Sequence, residues 1–143
     1  KQCSRALKLY NYRGETVMEE YSIVDALVEL KPGAEWSIGG RDYEQLVWLD
    51  KSQTKPTLDE LNTKLSEMNA AEPMRQLRVI RNQRLAECDW VVTRYAEYGY
   101  NIPKEWRTYR QALRDLPSIS YRPELDEFGD LKMDSVAWPT PPE

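Results

Sequence analysis

Two aspartates, Asp89 and Asp115, lie in the arginine-rich part of the chain and are the residues that could support acid–base chemistry. No spacing of acids around either one indicates a metal cage or a catalytic pair. The chain has no histidine, the commonest general base and zinc ligand, and its cysteines, Cys3 and Cys88, form no metal-binding motif. Glycine-rich phosphate loops and nucleophile elbows are also missing. We therefore predict that the protein is not an enzyme and holds no metal and no cofactor.

The composition favours a small globular protein that acts through binding. The length of 143 residues suits one domain with a real core, and charged residues make up 31% of the chain. The formal net charge of -4 disfavours a general affinity for nucleic acid or for an anionic membrane. No apolar run approaches the roughly 18 residues that cross a bilayer, and no signal peptide is visible, so we expect an intracellular protein.

The N-terminal part of the chain predicts a small module of one helix and one β-hairpin. Residues 1–17 show no clear period and form an arm before this module. Ser22 and Asp25 have the spacing of a helix N-cap, and the apolar residues that follow share one helical face until a Lys-Pro-Gly sequence. Gly39 and Gly40 separate two segments rich in aromatic and β-branched residues, which is typical of a hairpin.

The register of this hairpin depends on the length of its turn. A two-residue turn places Trp36 opposite Tyr43, whereas a four-residue loop shifts the pairing. The second strand carries apolar residues on both of its faces, among them Val47 and Trp48. We therefore expect both faces of this strand to be covered.

A helix is predicted directly after the hairpin module. Thr57 and Glu60 form a capping box, and the apolar residues that follow keep helical spacing to about Ala71. Proline is tolerated in a helix only near the start or at a kink, so we place a break at Pro73.

Two further helices predict a helical hairpin. The first spans about residues 74–98 and ends before a glycine, and the second stops at Pro117. Because the turn between them is short, the two helices are expected to pack antiparallel. Trp106, on the second helix, would then reach back toward Val91 and Tyr95 on the first.

Four arginines, spaced three residues apart, form a basic stripe on the first of these two helices. One interpretation is a solvated face that pairs with Glu72, Glu87 and neighbouring acids. The other is a groove for RNA or for an acidic partner surface. The stripe consists of Arg75, Arg78, Arg81 and Arg84.

The same two helices carry a possible electrostatic lock. An antiparallel arrangement would let Asp89 accept a bidentate hydrogen bond from Arg110 or Arg114, with an aromatic ring stacked on the guanidinium. Such a bond would hold the helical hairpin together without performing chemistry. Direct contact of the same residues with a partner protein is the alternative.

The chain after residue 117 is acidic and rich in proline, and it lacks a sustained period. Its last residues predict an extended, polyproline-like tail that carries Trp138 and Pro139. A tryptophan held in this geometry loses little entropy on docking. Trp138 could pack on its own helical hairpin or could anchor in the groove of a partner.

Three stretches of the C-terminal half occur in a distinctive order. They are an arginine-rich helix leading into Asp-Trp at 89–90, the sequence Tyr-Arg-Gln-Ala-Leu-Arg-Asp-Leu-Pro at 109–117, and Trp-Pro-Thr-Pro-Pro at 138–142. This order resembles the C-terminal module of bacteriophage tail assembly chaperones, also described as tail fibre assembly-like proteins. The hairpin region resembles the N-terminal part of such proteins, so the resemblance covers about residues 23–142.

The resemblance implies a non-enzymatic phage protein that binds a tail or tail fibre protein during assembly in the host cytoplasm. One alternative is a structural subunit that stays in the virion. Another is a nucleic-acid-binding protein that acts through the arginine stripe, which the acidic net charge disfavours. Self-association into a homo-oligomer stays open, and no membrane partner is expected.

We predict an α+β fold that is mainly helical. It comprises a short N-terminal helix and β-hairpin, then a long helix, a C-terminal helical hairpin and an extended Pro-rich tail. The expected division is an arm at 1–17, a module at 18–56, a helical region at 57–117 and a tail at 118–143. The residues expected to carry the motif or to contact the partner are Trp36, Tyr43, Trp48, Asp89, Trp90, Trp106, Tyr109, Arg110, Arg114, Asp115, Trp138 and Pro139.

Overall fold

The computed structural model describes residues 9–10, 16–17, 21–120 and 122–143. It divides into two compact units, Lys1–Ala71 and Glu72–Glu143. The predicted fold class is confirmed, because helices predominate and strands are few and short. The elements in chain order are β1 (Leu9–Tyr10), β2 (Thr16–Val17), α1 (Ile23–Leu30), β3 (Trp36–Ile38), β4 (Leu46–Trp48), α2 (Leu58–Glu87), α3 (Asp89–Glu97) and α4 (Lys104–Ile119).

The N-terminal arm contains a short pair of strands. β1 and β2 are antiparallel, with Leu9 opposite Val17 and Tyr10 opposite Thr16. The other residues of the predicted arm lie outside the described part of the chain.

Helix α1 begins where the sequence predicts. The Asp25 carboxylate accepts hydrogen bonds from the backbone N–H of Ser22 at 2.8 Å and from its hydroxyl at 2.7 Å. Ala26 and Leu27 are fully buried on the apolar face of α1. Gly33, in the turn that follows, has a φ of +76°, a conformation that residues with a side chain rarely adopt.

The predicted hairpin is confirmed, and its register, which the sequence left open, is not the one of a two-residue turn that would pair Trp36 with Tyr43. β3 and β4 are antiparallel, and Trp36 lies opposite Trp48. The connection is longer than the sequence suggests, because residues 43–45 form a 3₁₀ turn, in which the N–H of Gln45 donates to the carbonyl of Asp42 at 3.0 Å. Tyr43 therefore lies in the connection and not in the second strand.

The core of the first unit joins α1, the hairpin and the start of α2. Its buried residues are Ala26, Leu27, Leu46 and Leu61. The expectation that both faces of the second strand are covered is wrong, because Val47 and the adjacent Leu49 are each more than half exposed. Only the face that carries Leu46 packs on the core.

Helix α2 starts at the predicted capping box. The N–H of Thr57 donates to the Glu60 carboxylate at 2.7 Å, and the N–H of Glu60 donates to the Thr57 hydroxyl oxygen at 3.2 Å. The hydrogen bond from the Thr57 backbone, followed by that from its hydroxyl, lowers the pKa of Glu60.

Three predicted boundaries in the helical region are wrong. α2 continues through Pro73, and α4 continues through Pro117 to Ile119. A proline inside a helix removes one N–H donor, and the other hydrogen bonds of a long helix tolerate that loss. The predicted helix at 74–98 is instead interrupted at Cys88, so that α2 ends at Glu87 and α3 starts at Asp89.

Gly99 ends α3 as predicted. Its φ is +67°, its N–H donates to the carbonyl of Ala96 at 3.1 Å, and the N–H of Tyr100 donates to the carbonyl of Tyr95 at 2.9 Å. These two bonds form a Schellman motif, which requires a left-handed residue at this position.

The second unit has two clusters of buried residues that involve α2, α4 and the C-terminal segment. The buried members of the first cluster are Leu77, Leu116, Leu131 and Val136. Those of the second are Cys88, Tyr109 and Leu113. None of the helices in the described part of the chain combines the length and the apolar character that a membrane span requires.

The carboxylate of Asp50 fixes the loop that leads from the hairpin to α2. One oxygen accepts from the N–H and hydroxyl of Ser52 at 2.7 and 2.8 Å and from the N–H of Gln53 at 2.8 Å. The other accepts from the N–H of Glu35 at 3.1 Å. These bonds, first that from the Ser52 hydroxyl and then that from the Gln53 backbone, lower the pKa of Asp50 to about 2.

Burial predicts different effects for two leucines of the first turn of α2. Leu61 is fully buried, whereas Leu58 is 38% exposed. We expect Leu61→Ala to lower the free energy of unfolding by about 2–5 kcal/mol, because it leaves a cavity in the core. Leu58→Ala is the matched control and should lower it by less than about 1 kcal/mol. Urea denaturation followed by circular dichroism measures both values, and equal losses would contradict this core.

The depressed pKa of Asp50 predicts an acid-sensitive loop. Because the pKa falls from 3.8 to about 2 on folding, the stabilisation is complete above pH 3.8 and is lost as the pH falls toward 2. We expect the carboxyl carbon of Asp50 to titrate near pH 2 in an NMR experiment. In Asp50→Asn the stability should vary less with pH between 5 and 2 than in the unsubstituted chain. An ordinary titration midpoint would contradict the hydrogen bonds of this loop.

Candidate partner-binding surface

An aromatic row joins the start of α3 to the first turns of α4. The rings of Trp90 and Trp106 meet edge to face with centroids 5.9 Å apart, and those of Trp106 and Tyr109 meet in the same way at 6.0 Å. Exposure decreases along the row, because Trp90 is 53% exposed, Trp106 is half-buried and Tyr109 is buried. This burial raises the pKa of Tyr109, against the opposing effect of Arg84. The ring partner of Trp106 on α3 is thus Trp90, whereas the sequence predicted contact with Val91 and Tyr95.

Arg110 holds the interruption between α2 and α3. Its Nη2 donates to the Asp89 carboxylate at 2.8 Å, while its Nη1 donates to the carbonyl of Leu85 at 3.1 Å and to the Sγ of Cys88 at 2.9 Å. The Leu85 carbonyl belongs to the last turn of α2, so the guanidinium acts as a C-terminal cap of that helix.

The predicted electrostatic lock therefore exists in a different form. Arg110 and not Arg114 pairs with Asp89, and the bond is single because Nη1 turns to the end of α2. Partial burial opposes the positive charge of Arg110, but the hydrogen bonds that its guanidinium donates to Asp89 and Cys88 prevail and raise its pKa. An arginine is always protonated in proteins, so this bridge persists at every physiological pH.

Arg114 and Asp115 lie on the exposed side of α4 and bond within that helix. Arg114 donates to the side-chain oxygen of Gln111 at 2.9 Å, and the Gln111 amide donates to Asp115 at 2.8 Å. No group of three or more metal-ligating side chains occurs among the described residues. Because Arg114 and Asp115 are exposed, their side chains can present charge to a partner.

Trp138 packs within the second unit, against both of its buried clusters. The guanidinium of Arg84 lies over its ring, 4.2 Å from the centroid. The indole Nε1 of Trp138 and the Nε of Arg81 are buried and have no hydrogen-bond partner among the described residues. Leaving such a donor unpaired costs about 1–3 kcal/mol. Pro139, next to Trp138, is half-buried.

Gln76 attaches the C-terminal segment to α2, and sequence reasoning missed it. Its amide nitrogen donates to the carbonyl of Gly129 at 2.8 Å, and its amide oxygen accepts from the N–H of Leu131 at 2.8 Å. The side-chain amide of Gln76 thus bonds to the backbone of this segment as the backbone of a neighbouring strand would. A glutamine within a helix gives no signal of this role in the sequence, although the Asp126-x-x-Gly129 pattern could have indicated the turn beside it.

The arginine stripe of α2 mostly contacts its own chain. Arg75 forms an ion pair with Glu72, as the first interpretation predicts. Arg81 donates weakly to the carbonyl of Arg114 at 3.5 Å, and Arg84 covers Trp138. The stripe thus stabilises the second unit, and only part of its charge faces solvent.

The three other predicted residues, Trp36, Tyr43 and Trp48, pack against the core of the first unit. The Tyr43 hydroxyl donates to the carbonyl of Pro56, and the Trp48 Nε1 donates to that of Gln53, both at 2.8 Å. Lys55 lies over the Tyr43 ring, 4.6 Å from its centroid.

The bridge made by Arg110 predicts a large effect of one arginine and a small effect of another. We expect Arg110→Ala to lower the free energy of unfolding by about 2–3 kcal/mol, because it removes charged hydrogen bonds at a partly buried helix end. Arg114→Ala, on the exposed side of the same helix, should cost less than about 0.5 kcal/mol. Chemical denaturation compares the two variants, and similar losses would show that Arg110 is not the cap of α2.

Comparison with known proteins concerns this same half of the chain. The family described as phage tail assembly chaperone protein matches residues 74–143, which include the aromatic row, Arg110 and Trp138. No curated protein and no solved structure matches the chain. Residues 74–143 match the phage tail assembly chaperone family, whose role is non-enzymatic, and the predicted resemblance is confirmed over these residues.

Proposed function

We propose that this tail assembly chaperone binds a phage tail or tail fibre component through a surface centred on Trp90. Membership of the family gives the chain a non-enzymatic role in tail assembly and implies binding of phage tail proteins. The observation that carries the finer proposal is the position of Trp90. The residue is 53% exposed, yet its ring packs edge to face with that of Trp106.

A rigid and exposed tryptophan is suited to anchor a partner. Tryptophan, tyrosine and arginine dominate the binding energy of protein interfaces, and a side chain fixed before binding loses little entropy on docking. Trp106 is in turn fixed by Tyr109, which is buried, so the orientation of Trp90 is set by the core of the second unit.

Charged side chains surround this anchor. The carboxylate of Asp89, the residue before Trp90, is 62% exposed although Arg110 holds it. Arg107 and Arg114 are exposed on α4. Charges at the rim of an interface chiefly set specificity and the rate of association, so a client with complementary charges around an apolar pocket fits this surface.

The place of action follows from the proposed role. A chaperone of this kind shields a tail or tail fibre protein before it enters the particle, so we propose that it works in the host cytoplasm during assembly.

The proposed anchor predicts a loss of client binding without a loss of folding. Trp90→Ala should weaken binding of the tail or tail fibre protein by about thirtyfold, which corresponds to about 2 kcal/mol. Co-expression with the neighbouring tail or tail fibre gene product, followed by co-purification and titration calorimetry, measures this change.

Phe128→Ala is the matched control, because Phe128 is an aromatic residue of the same unit and is 54% exposed. It should change the affinity by less than about twofold. Equal affinities of the two variants would overturn the proposed surface. Thermal unfolding checks that both variants keep their fold.

A further inference from the structure

We propose that residues 131–138, here called the strap, occupy a groove that also receives an extended segment of the client, and that the client displaces the strap. This inference rests on the proposed function, because it adds a second contact to the same partner. The strap fills the groove with Leu131, Val136 and Trp138.

The groove is continuous with the surface around Trp90. Its floor includes Leu77 of α2 and Leu113 and Leu116 of α4. Trp138 packs in the same cluster as Trp106, whose ring contacts Trp90. A client segment that starts at Trp90 can therefore continue along the aromatic row into the place of Trp138.

The strap is attached to the helices at one end. Gln76 bonds to the carbonyl of Gly129 and the N–H of Leu131. Beyond Leu131, the hydrogen bonds of the described C-terminal segment stay within that segment, as in Lys132 to Glu124 and Trp138 to Val136. Apolar packing and the contact with Arg84 hold the rest of the strap.

Two buried donors indicate that the strap fits the groove incompletely. The Nε of Arg81 belongs to α2 and the Nε1 of Trp138 belongs to the strap, and neither has a hydrogen-bond partner among the described residues. Release of the strap returns the indole N–H to water.

The strap also defines the chemistry of the occupant. It is a short segment with one 3₁₀ turn, Met133–Ser135, and it places a large aromatic ring beneath the guanidinium of Arg84, directly before Pro139. We therefore expect a client segment of the same kind, and a peptide of residues 124–143 is a suitable probe for it.

The test uses the full-length chain and this peptide with a fluorescent label. Gln76→Ala removes the two bonds at the attached end, which should raise the open population and tighten peptide binding about tenfold. The matched control is Gln83→Ala on the same helix, where the side chain bonds only weakly to Glu87 at 3.2 Å, and it should bind the peptide as the unsubstituted chain does. A peptide with Trp138→Ala should not bind.

Hydrogen exchange of residues 131–138 gives the second readout. In the Gln76→Ala variant, the backbone amides of residues 131–138 should exchange faster. Unchanged protection of these amides would show that Gln76 does not hold the strap. Faster exchange without tighter peptide binding would show that the groove accepts no segment in trans. Either result overturns the inference.

The complex with the co-purified tail protein separates this inference from the proposed function. Binding of that protein should accelerate exchange at residues 131–138. Unchanged exchange with intact, Trp90-dependent binding would overturn the displaced strap and leave the proposed function standing. Loss of Trp90 dependence would overturn the proposed function, while the peptide experiment would still decide whether the groove accepts a segment.

Discussion

The second unit depends on one guanidinium group. α2 ends at Glu87 and leaves carbonyl groups without partners in its own helix, and Arg110 of α4 donates to one of them at Leu85. The same side chain bonds to Cys88 in the interruption and to Asp89 at the start of α3. One residue therefore joins three helices at the point where the chain leaves α2. Trp90 follows directly, so its position beside Trp106 depends on this bridge.

Local signals in the sequence predicted the ends of several helices. The caps at Ser22 and Thr57 and the left-handed Gly99 use residues within a few positions of each other, so the sequence contains all the partners. The interruption at Cys88 could not be predicted in this way, because its donor, Arg110, lies 22 positions further along the chain. Pro73 and Pro117 show the opposite case, since each is a local helix-breaking signal that the hydrogen bonds of the surrounding helix outweigh.

In the candidate site, too, some contacts could be predicted from the sequence and others could not. The pairing of Asp89 with an arginine of the next helix followed from charge and spacing, but the choice of Arg110 over Arg114 depends on which one faces the end of α2. The link from Gln76 to Gly129 and Leu131 spans more than fifty positions and joins a side chain to backbone. Sequence patterns report side-chain types, and a backbone partner leaves no such signal.

The C-terminal segment has an aperiodic sequence, and its packing in the buried clusters of the second unit holds it in place. Leu131, Val136 and Trp138 as a set keep no single helical or strand period, yet all three pack in the buried clusters of the second unit. A segment of this kind is fixed by separate points of contact and lacks the cooperative ladder of a helix or sheet. Each point contributes little alone, so removing one loosens the segment without unfolding α2 or α4. Under the proposed displacement of the strap, separate contacts of this kind would allow the surface to be covered, opened and covered again.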